Sequence, residues 1–145
     1  MYDKIQAALE VRTKQLVNAP HIVYDNVKYV PVIGTPFIRS HFMPMDRQVK
    51  SLGINQEGKP YKQRYEGIYQ LLLNYPDSQG SGPTNTMVNE ILDKFEASTD
   101  IVHRIDNPLD FENFYDTIEK TERKRGVTEG PWFKTPVQIS WYTYA

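Results

Sequence analysis

The last part of the chain alternates strictly between two kinds of side chain. One parity holds Val137, Ile139, Trp141 and Thr143, and the other holds Gln138, Ser140, Tyr142 and Tyr144. This period of two predicts a β-strand with one buried face, so we expect Trp141 in the core and the two tyrosines outside. The turn residues Glu129-Gly130-Pro131 come just before it, and we expect the preceding segment to fold back as a hairpin partner.

A second alternating stretch covers residues 64–75. Its inward parity consists of Tyr65, Gly67, Tyr69, Leu71, Leu73 and Tyr75. Residues 37–43 form another β-like run, which Pro44 should end. Because the connection at 46–63 lacks helical periodicity, we expect these two strands to pair as an extended antiparallel hairpin.

Shorter segments add to the predicted sheet. Residues 21–24 and 27–30 are β-like and flank a turn at Asp25-Asn26. Residues 101–105 indicate a short strand, and residues 117–125 alternate loosely enough to pair with the terminal strand. The apolar and acidic insert at 107–115 fits neither the helical nor the strand pattern.

Two segments have helical spacing. The first begins near Asp3, with a stripe of Ile5, Ala8, Leu9, Arg12 and Leu16, and should run to about Asn18. Arg12 is the exception in this stripe, and we expect its charged end to reach the edge of the apolar face. The second helix follows the turn at 76–83, with Pro83 in its first position. Its stripe is Met87, Val88, Ile91, Leu92 and Phe95.

The order of these elements predicts the fold class. Helix, strands, helix and strands follow one another without repeats or a linker, so we expect one domain over residues 1–145. The predicted class is α+β, with a mostly antiparallel sheet covered by two helices.

Charge and composition narrow the function classes. The 145 residues include 17 basic and 18 acidic side chains, a net charge of −1, which is not the basic footprint of a dedicated nucleic-acid binder. No cysteine is present, so disulfides and thiolate chemistry are excluded. No apolar run approaches a membrane span, and the first residues lack a signal-peptide layout. We expect a soluble, non-secreted protein that does not contact membranes.

The sequence offers no catalytic constellation. His21, His41 and His103 lack metal-site spacing, and Asp100, His103 and Asp106 would not converge on a strand. The Gly-rich turn at 78–83 has no P-loop lysine, and no nucleophile elbow occurs. We therefore predict a non-enzymatic protein without catalytic residues, bound metal or cofactor.

Two charged segments remain as candidate contact surfaces. The 46–63 connection carries Arg47, Lys50, Lys59, Tyr61 and Lys62, which would suit docking on an acidic partner, although a solvated loop is an equal alternative. The triplet Arg123-Lys124-Arg125 fits either a phosphate contact or a solvated strand edge. The ten tyrosines fit either interfaces or a half-buried sheet face.

The chain resembles the tail-terminator (tail-completion) proteins of long-tailed bacteriophages. The matching features are an opening helix from Asp3-Lys4-Ile5, the strand entry Gly34-Thr35-Pro36-Phe37, the strand Arg64-Tyr65-Glu66-Gly67-Ile68-Tyr69, a Pro/Gly-flanked helix, and the aromatic close from Gly130-Pro131-Trp132 to Trp141. The resemblance covers nearly the whole chain in order. The insert at 107–115 departs from it by being longer.

This resemblance implies a virion structural protein at the head–tail junction, assembled in the host cytoplasm. Such a protein forms a ring, six-fold in this family, which caps the tail tube, stops polymerisation and presents a surface to the head. The implied partners are other copies of itself, the major tail tube protein and the head-completion or connector proteins, with DNA only passing through the lumen. The interface residues would be Arg47, Lys50, Lys59, Tyr61, Lys62, Tyr142 and Tyr144.

Two alternatives remain open at this stage. A head–tail joining adaptor or stopper would also form a ring. A nucleic-acid-binding module using 123–125 and the tyrosines would bind with an affinity that falls steeply with salt.

Overall fold

The computed structural model describes residues 2–45, 64–104 and 113–144, with the backbone alone at 102–104 and 113–115. The described elements are two helices and seven strands. In chain order they are α1 (Tyr2–Lys14), β1 (His21–Val23), β2 (Phe37–Pro44), β3 (Arg64–Pro76), α2 (Gly82–Lys94), β4 (Asp100–Arg104), β5 (Asn113–Arg123), β6 (Val127–Glu129) and β7 (Trp132–Tyr144). The predicted α+β class is confirmed.

The strands form one sheet in the order β1-β2-β3-β7-β5-β4, and β6 also pairs with β7. The long antiparallel pair of β3 and β7 is central, and β2 pairs antiparallel with β3 as the hairpin prediction required. β5 and β6 lie end to end along the other side of β7, which confirms both predicted partners of the terminal strand. Gly130, at φ +59°, makes the tight turn from β6 into β7.

The main core lies between one face of the sheet and both helices. Tyr69 pairs across the ladder with Ile139, and Gly67 with Trp141, so their side chains share a face. The alternation of β7 is confirmed, because Val137, Ile139, Trp141 and Thr143 are all at most 1% exposed. That of β3 is confirmed from Gly67 to Leu73, whereas Asn74, of the opposite parity, is also buried. The helices contribute Ile5, Leu9, Met87, Val88, Ile91 and Phe95.

A second, smaller cluster lies on the opposite face of the sheet, at one end. Phe37 and Trp132 meet edge to face at 5.2 Å, with Val23 beside them. The Tyr29 ring covers Phe37 at 5.1 Å. The pattern of alternation did not predict this cluster, because its members come from the ends of three strands and an irregular segment.

Several local predictions were wrong. The first helix ends at Lys14, not near Asn18, and the backbone N–H groups of Val17 and Asn18 donate to the carboxylate of Glu90 on α2. Residues 27–30 form no strand, and β1 pairs with β2 in parallel. Arg12 is half-buried, and its Nε donates to the carbonyl of Lys94 (2.7 Å) at the end of α2, a partner that the sequence did not indicate. The 46–63 connection and most of the 107–115 insert lie outside the described residues.

Candidate assembly surface

The outer face of the sheet has neither described helix packed on it, and at one end it is covered by Tyr29 over the small cluster. Both helices pack on the inner face, so the alternate side chains of β2, β3, β7 and β5 point away from them. His41, Gln70, Gln138 and Glu122 form one row across four strands. Within that row Gln138 donates from Nε2 to the amide oxygen of Gln70 at 3.2 Å. The surface is polar and held in register by the ladder beneath it.

Arg64 contacts several side chains at one end of this face. Its guanidinium lies 4.4 Å from the centre of the Tyr142 ring and donates to the Tyr144 hydroxyl at 3.4 Å. It also donates to Glu66 at 3.0 Å and lies 3.8 Å from a carboxylate oxygen of Glu119. Partial burial lowers the pKa of Arg64, but the hydrogen bonds that it donates to Tyr144 and Glu66 outweigh this effect, so the net shift is upward.

The two predicted tyrosines therefore lie together on the outer face. Their rings meet edge to face at 5.9 Å, and Tyr144 is 43% exposed. A tyrosine already fixed by its neighbours loses little rotamer entropy on binding, which suits a contact surface. Their role at an interface stays a prediction, as do those of Arg47, Lys50, Lys59, Tyr61 and Lys62, which lie outside the described residues.

Two residues of the basic triplet have partners within the chain. Glu122 accepts from Lys124 at 2.8 Å and from Lys120 at 2.9 Å, and these two hydrogen bonds, that of Lys124 first, lower the pKa of Glu122 to about 2. Arg123 donates to the side chain of Asn85 on α2. Charges occupied in this way are less available to phosphates, so the structure gives the nucleic-acid hypothesis little support.

Of the histidine and acidic candidates, His41 and Asp100 have structural partners, while the side chains of His103 and Asp106 lie outside the described residues. His41 Nδ1 lies 3.1 Å from Asp25, which also accepts from the backbone N–H of Phe42 and so covers the β2 edge beyond β1. Asp100 accepts from Thr117 at 2.8 Å. Across the part of the chain that the structure describes, no three His, Asp or Glu side chains could share a metal ion.

Sequence reasoning missed Asp116. Its carboxyl group is fully buried, neither oxygen has a hydrogen-bond partner among the described residues, and burial raises its pKa to about 8. Asp116 has the same parity as Ile118, which lies in the core, so the alternation in β5 contained the signal. Because the acidic residues from 110 to 122 are evenly spaced, Asp116 did not stand out from the others in the sequence.

Within the described part of the chain, the strands at both sides of the sheet have one edge without a partner strand. β1 lies at one side, and β4 and β6 lie at the other. Together with the ordered outer face, these edges define a class of protein built to make contacts: a small α+β subunit without convergent catalytic groups in its described part.

The comparisons agree with that class. The chain belongs to the phage tail terminator family, because the model described as "Phage tail terminator protein" matches residues 4–141. Nine chains of solved structures also match, one of them with a TM-score of 0.69 and 18% identity over 99% of this chain and 95% of its own. At that identity the likeness shows the fold alone. No curated protein matches.

Family membership gives the protein a structural role in the phage tail and implies contacts with other tail or head proteins. The family is not an enzymatic one. Neither of the described helices, at 13 residues each, has the length or the apolar character to cross a membrane.

Proposed function

We propose that the protein forms a six-fold ring that caps the tail tube, ends its polymerisation and provides the surface for head attachment. The observation that carries this proposal is the family match, which extends over residues 4–141 and therefore includes both helices and nearly the whole sheet. The ring would lie at the head–tail junction of the virion after assembly in the host cytoplasm. Its partners would be the tube protein on one side and head-completion or connector proteins on the other.

The geometry supports a closed ring in a specific way. A ring needs a head-to-tail interface, in which two different surfaces of the same chain meet. The sheet provides different unpaired edges at its two sides, β1 at one and β4 and β6 at the other. Backbone hydrogen bonding at such edges is a common way to join chains.

The net charge suits a passage for DNA. With a net charge of −1, the chain would not hold DNA strongly as it moves through the lumen. The basic residues of the 46–63 connection (Arg47, Lys50, Lys59 and Lys62, with Tyr61) would face the tube or a neighbouring subunit.

The test is a tail-assembly reaction scored by electron microscopy. Tube protein is polymerised with and without this protein, and the lengths of the tails are measured. We expect the protein to stop elongation and the double variant Lys50→Glu/Lys59→Glu to fold normally but fail to stop it. Arg125→Glu is the control, because it reverses an exposed charge of the basic triplet and should leave capping intact.

The same reaction separates the alternatives. A head–tail adaptor or stopper would permit head joining without changing tail length. A nucleic-acid-binding module would bind DNA at low salt, and Arg125→Glu would weaken that binding. Tubes that elongate equally with and without the protein would contradict the terminator role.

A further inference from the structure

An exposed apolar segment follows β1. Within residues 27–33, which we call the arm, Val27, Val30, Val32 and Ile33 are 54, 85, 61 and 78% exposed. A contiguous apolar surface of this kind on a soluble domain marks a site of contact. Within the arm, only Tyr29 packs against the small cluster, and its ring lies 5.1 Å from the rings of both His21 and Phe37.

The arm is fixed in place, but most of its backbone groups make no hydrogen bond to the described residues. Tyr29 anchors its middle, and a turn closes its end, where Thr35 N–H donates to the Val32 carbonyl at 3.0 Å and Gly34 has φ +89°. Among the described residues, the backbone groups of 28–31 make no hydrogen bond. Exposed β-branched side chains on a backbone with free donors and acceptors have the character of an unpaired strand.

A matching acceptor lies at the opposite side of the sheet. β6 pairs only with β7, its three residues are all exposed, and it lies at the same level as the start of β1. The row that shows this runs through His21, Phe37, Asn74, Lys134 and Val127. With four strand spacings between them, β1 and β6 are about 19 Å apart in one chain.

The surroundings of β6 complement the arm. A cavity of about 320 Å³ opens beside it, lined by Pro76, Phe133, Thr128 and the turn at 77–81. Lys28 is the one charged residue in 27–36, whereas Asp77 lines the cavity and the nearby exposed Glu129 already forms an ion pair with Lys134 at 3.4 Å. An apolar side chain of the arm could therefore enter the cavity beside β6, and Lys28 could pair with an acidic side chain there.

We propose that the arm of one copy pairs with the free edge of β6 in the next copy, with an arm side chain seated in this cavity. The occupant is a second copy because donor and acceptor lie on opposite sides of one sheet, which makes the contact head-to-tail. This inference rests on the proposed ring and specifies which surfaces close it.

Disulfide trapping tests the contact directly, since the natural chain has no cysteine. Val32→Cys and Thr128→Cys are combined in one chain and oxidised. An intrachain bond, which would need the two Cα atoms within about 7 Å, would leave the chain at the mass of one copy and is therefore distinguished from a bond between copies. We expect covalent multimers up to the full ring in the double variant, whereas a mixture of the two single variants should stop at dimers. Val17→Cys with Thr128→Cys is the matched control, as Val17 is also exposed (87%, against 61% for Val32) but lies outside the arm.

Val30→Asp with Ile33→Asp provides a second readout. Both side chains are exposed, so folding should be unaffected, while subunit association should weaken by about tenfold or more. If native mass spectrometry shows the oligomer but no bond forms between positions 32 and 128, the arm contact is wrong and the ring stands. If the aspartate variant still oligomerises but no longer binds tubes, the arm docks on the tube and the inference is overturned. A protein that is monomeric both alone and on tubes overturns the ring together with this contact.

Discussion

Gly67 lies directly across the β3–β7 ladder from Trp141, and the space left by its missing side chain is filled by the indole. A Cβ on Gly67 would lie 2.6 Å from Cζ2 of Trp141 and 2.6 Å from the backbone oxygen of Met43. On the adjacent strand Phe42 stacks on the indole, with ring centres 5.4 Å apart and planes 8° from parallel. The glycine therefore sets the position of the largest side chain in the core.

Gly67→Ala should lower the free energy of unfolding by about 1–3 kcal/mol, because the added methyl group meets a backbone atom that cannot easily move. Urea denaturation measures the effect. Gly82→Ala is the control, since a Cβ there has no atom within 4 Å, and it should change stability by less than about 0.5 kcal/mol. Equal effects at the two glycines would mean that the indole can shift to make room.

Trp141→Ala should cost about 3–5 kcal/mol, because the side chain is 1% exposed and leaves a large cavity. Tyr144→Ala changes a bulky aromatic on the same strand but on the outer face, and should cost under about 1 kcal/mol. A normal thermal unfolding curve for the tryptophan variant would contradict the assignment of the buried face.

The strands with a clear period of two were predictable from sequence. In β7 the alternation, together with Gly130 before it, defined the buried face and the hairpin, because both signals are local. The pairing of β2 with β3 followed from the lack of helical periodicity between them.

What the sequence did not reveal depends on contacts between distant residues. Residues 21–24 were correctly predicted to be β-like, but so short a strand contains no signal for the parallel pairing of β1 with β2. After α1 has ended, the backbone N–H groups of Val17 and Asn18 donate to the carboxylate of Glu90. Because Glu90 lies far away in the sequence, residues 14–18 give no local indication of this contact. The residues proposed for the tube contact belong to the 46–63 connection, and their roles stay predictions.

Asp116 should make the protein less stable as pH rises. The folded state raises the pKa of this carboxyl group from its ordinary 3.8 to about 8, so between these values it binds one proton more than the unfolded chain. Stability should then fall by up to about 1.4 kcal/mol per pH unit across this window. Urea denaturation at pH 5, 6, 7 and 8 measures the slope.

Asp116→Asn removes this titration and is the matched variant. It should flatten the profile between pH 5 and 8 and be more stable than the natural protein at pH 8. An unchanged slope in the variant would show that other groups cause the pH dependence.

Replacing Tyr142 and Tyr144 together with Ser should weaken ring formation, because both rings lie on the outer face beside Arg64. Analytical ultracentrifugation over a dilution series measures the change, which we expect to be about tenfold or more in the association constant. Gln70→Ser is a control on the same face but away from this cluster. Rings of normal stability would show that the tyrosines only cover the sheet.

Native mass spectrometry shows directly whether the protein forms a six-fold ring. The protein is measured alone over a wide concentration range and again after release from tube ends. We predict a species of six copies in the sample released from tube ends, whether or not it also forms in the protein alone. One copy in both samples would contradict the ring.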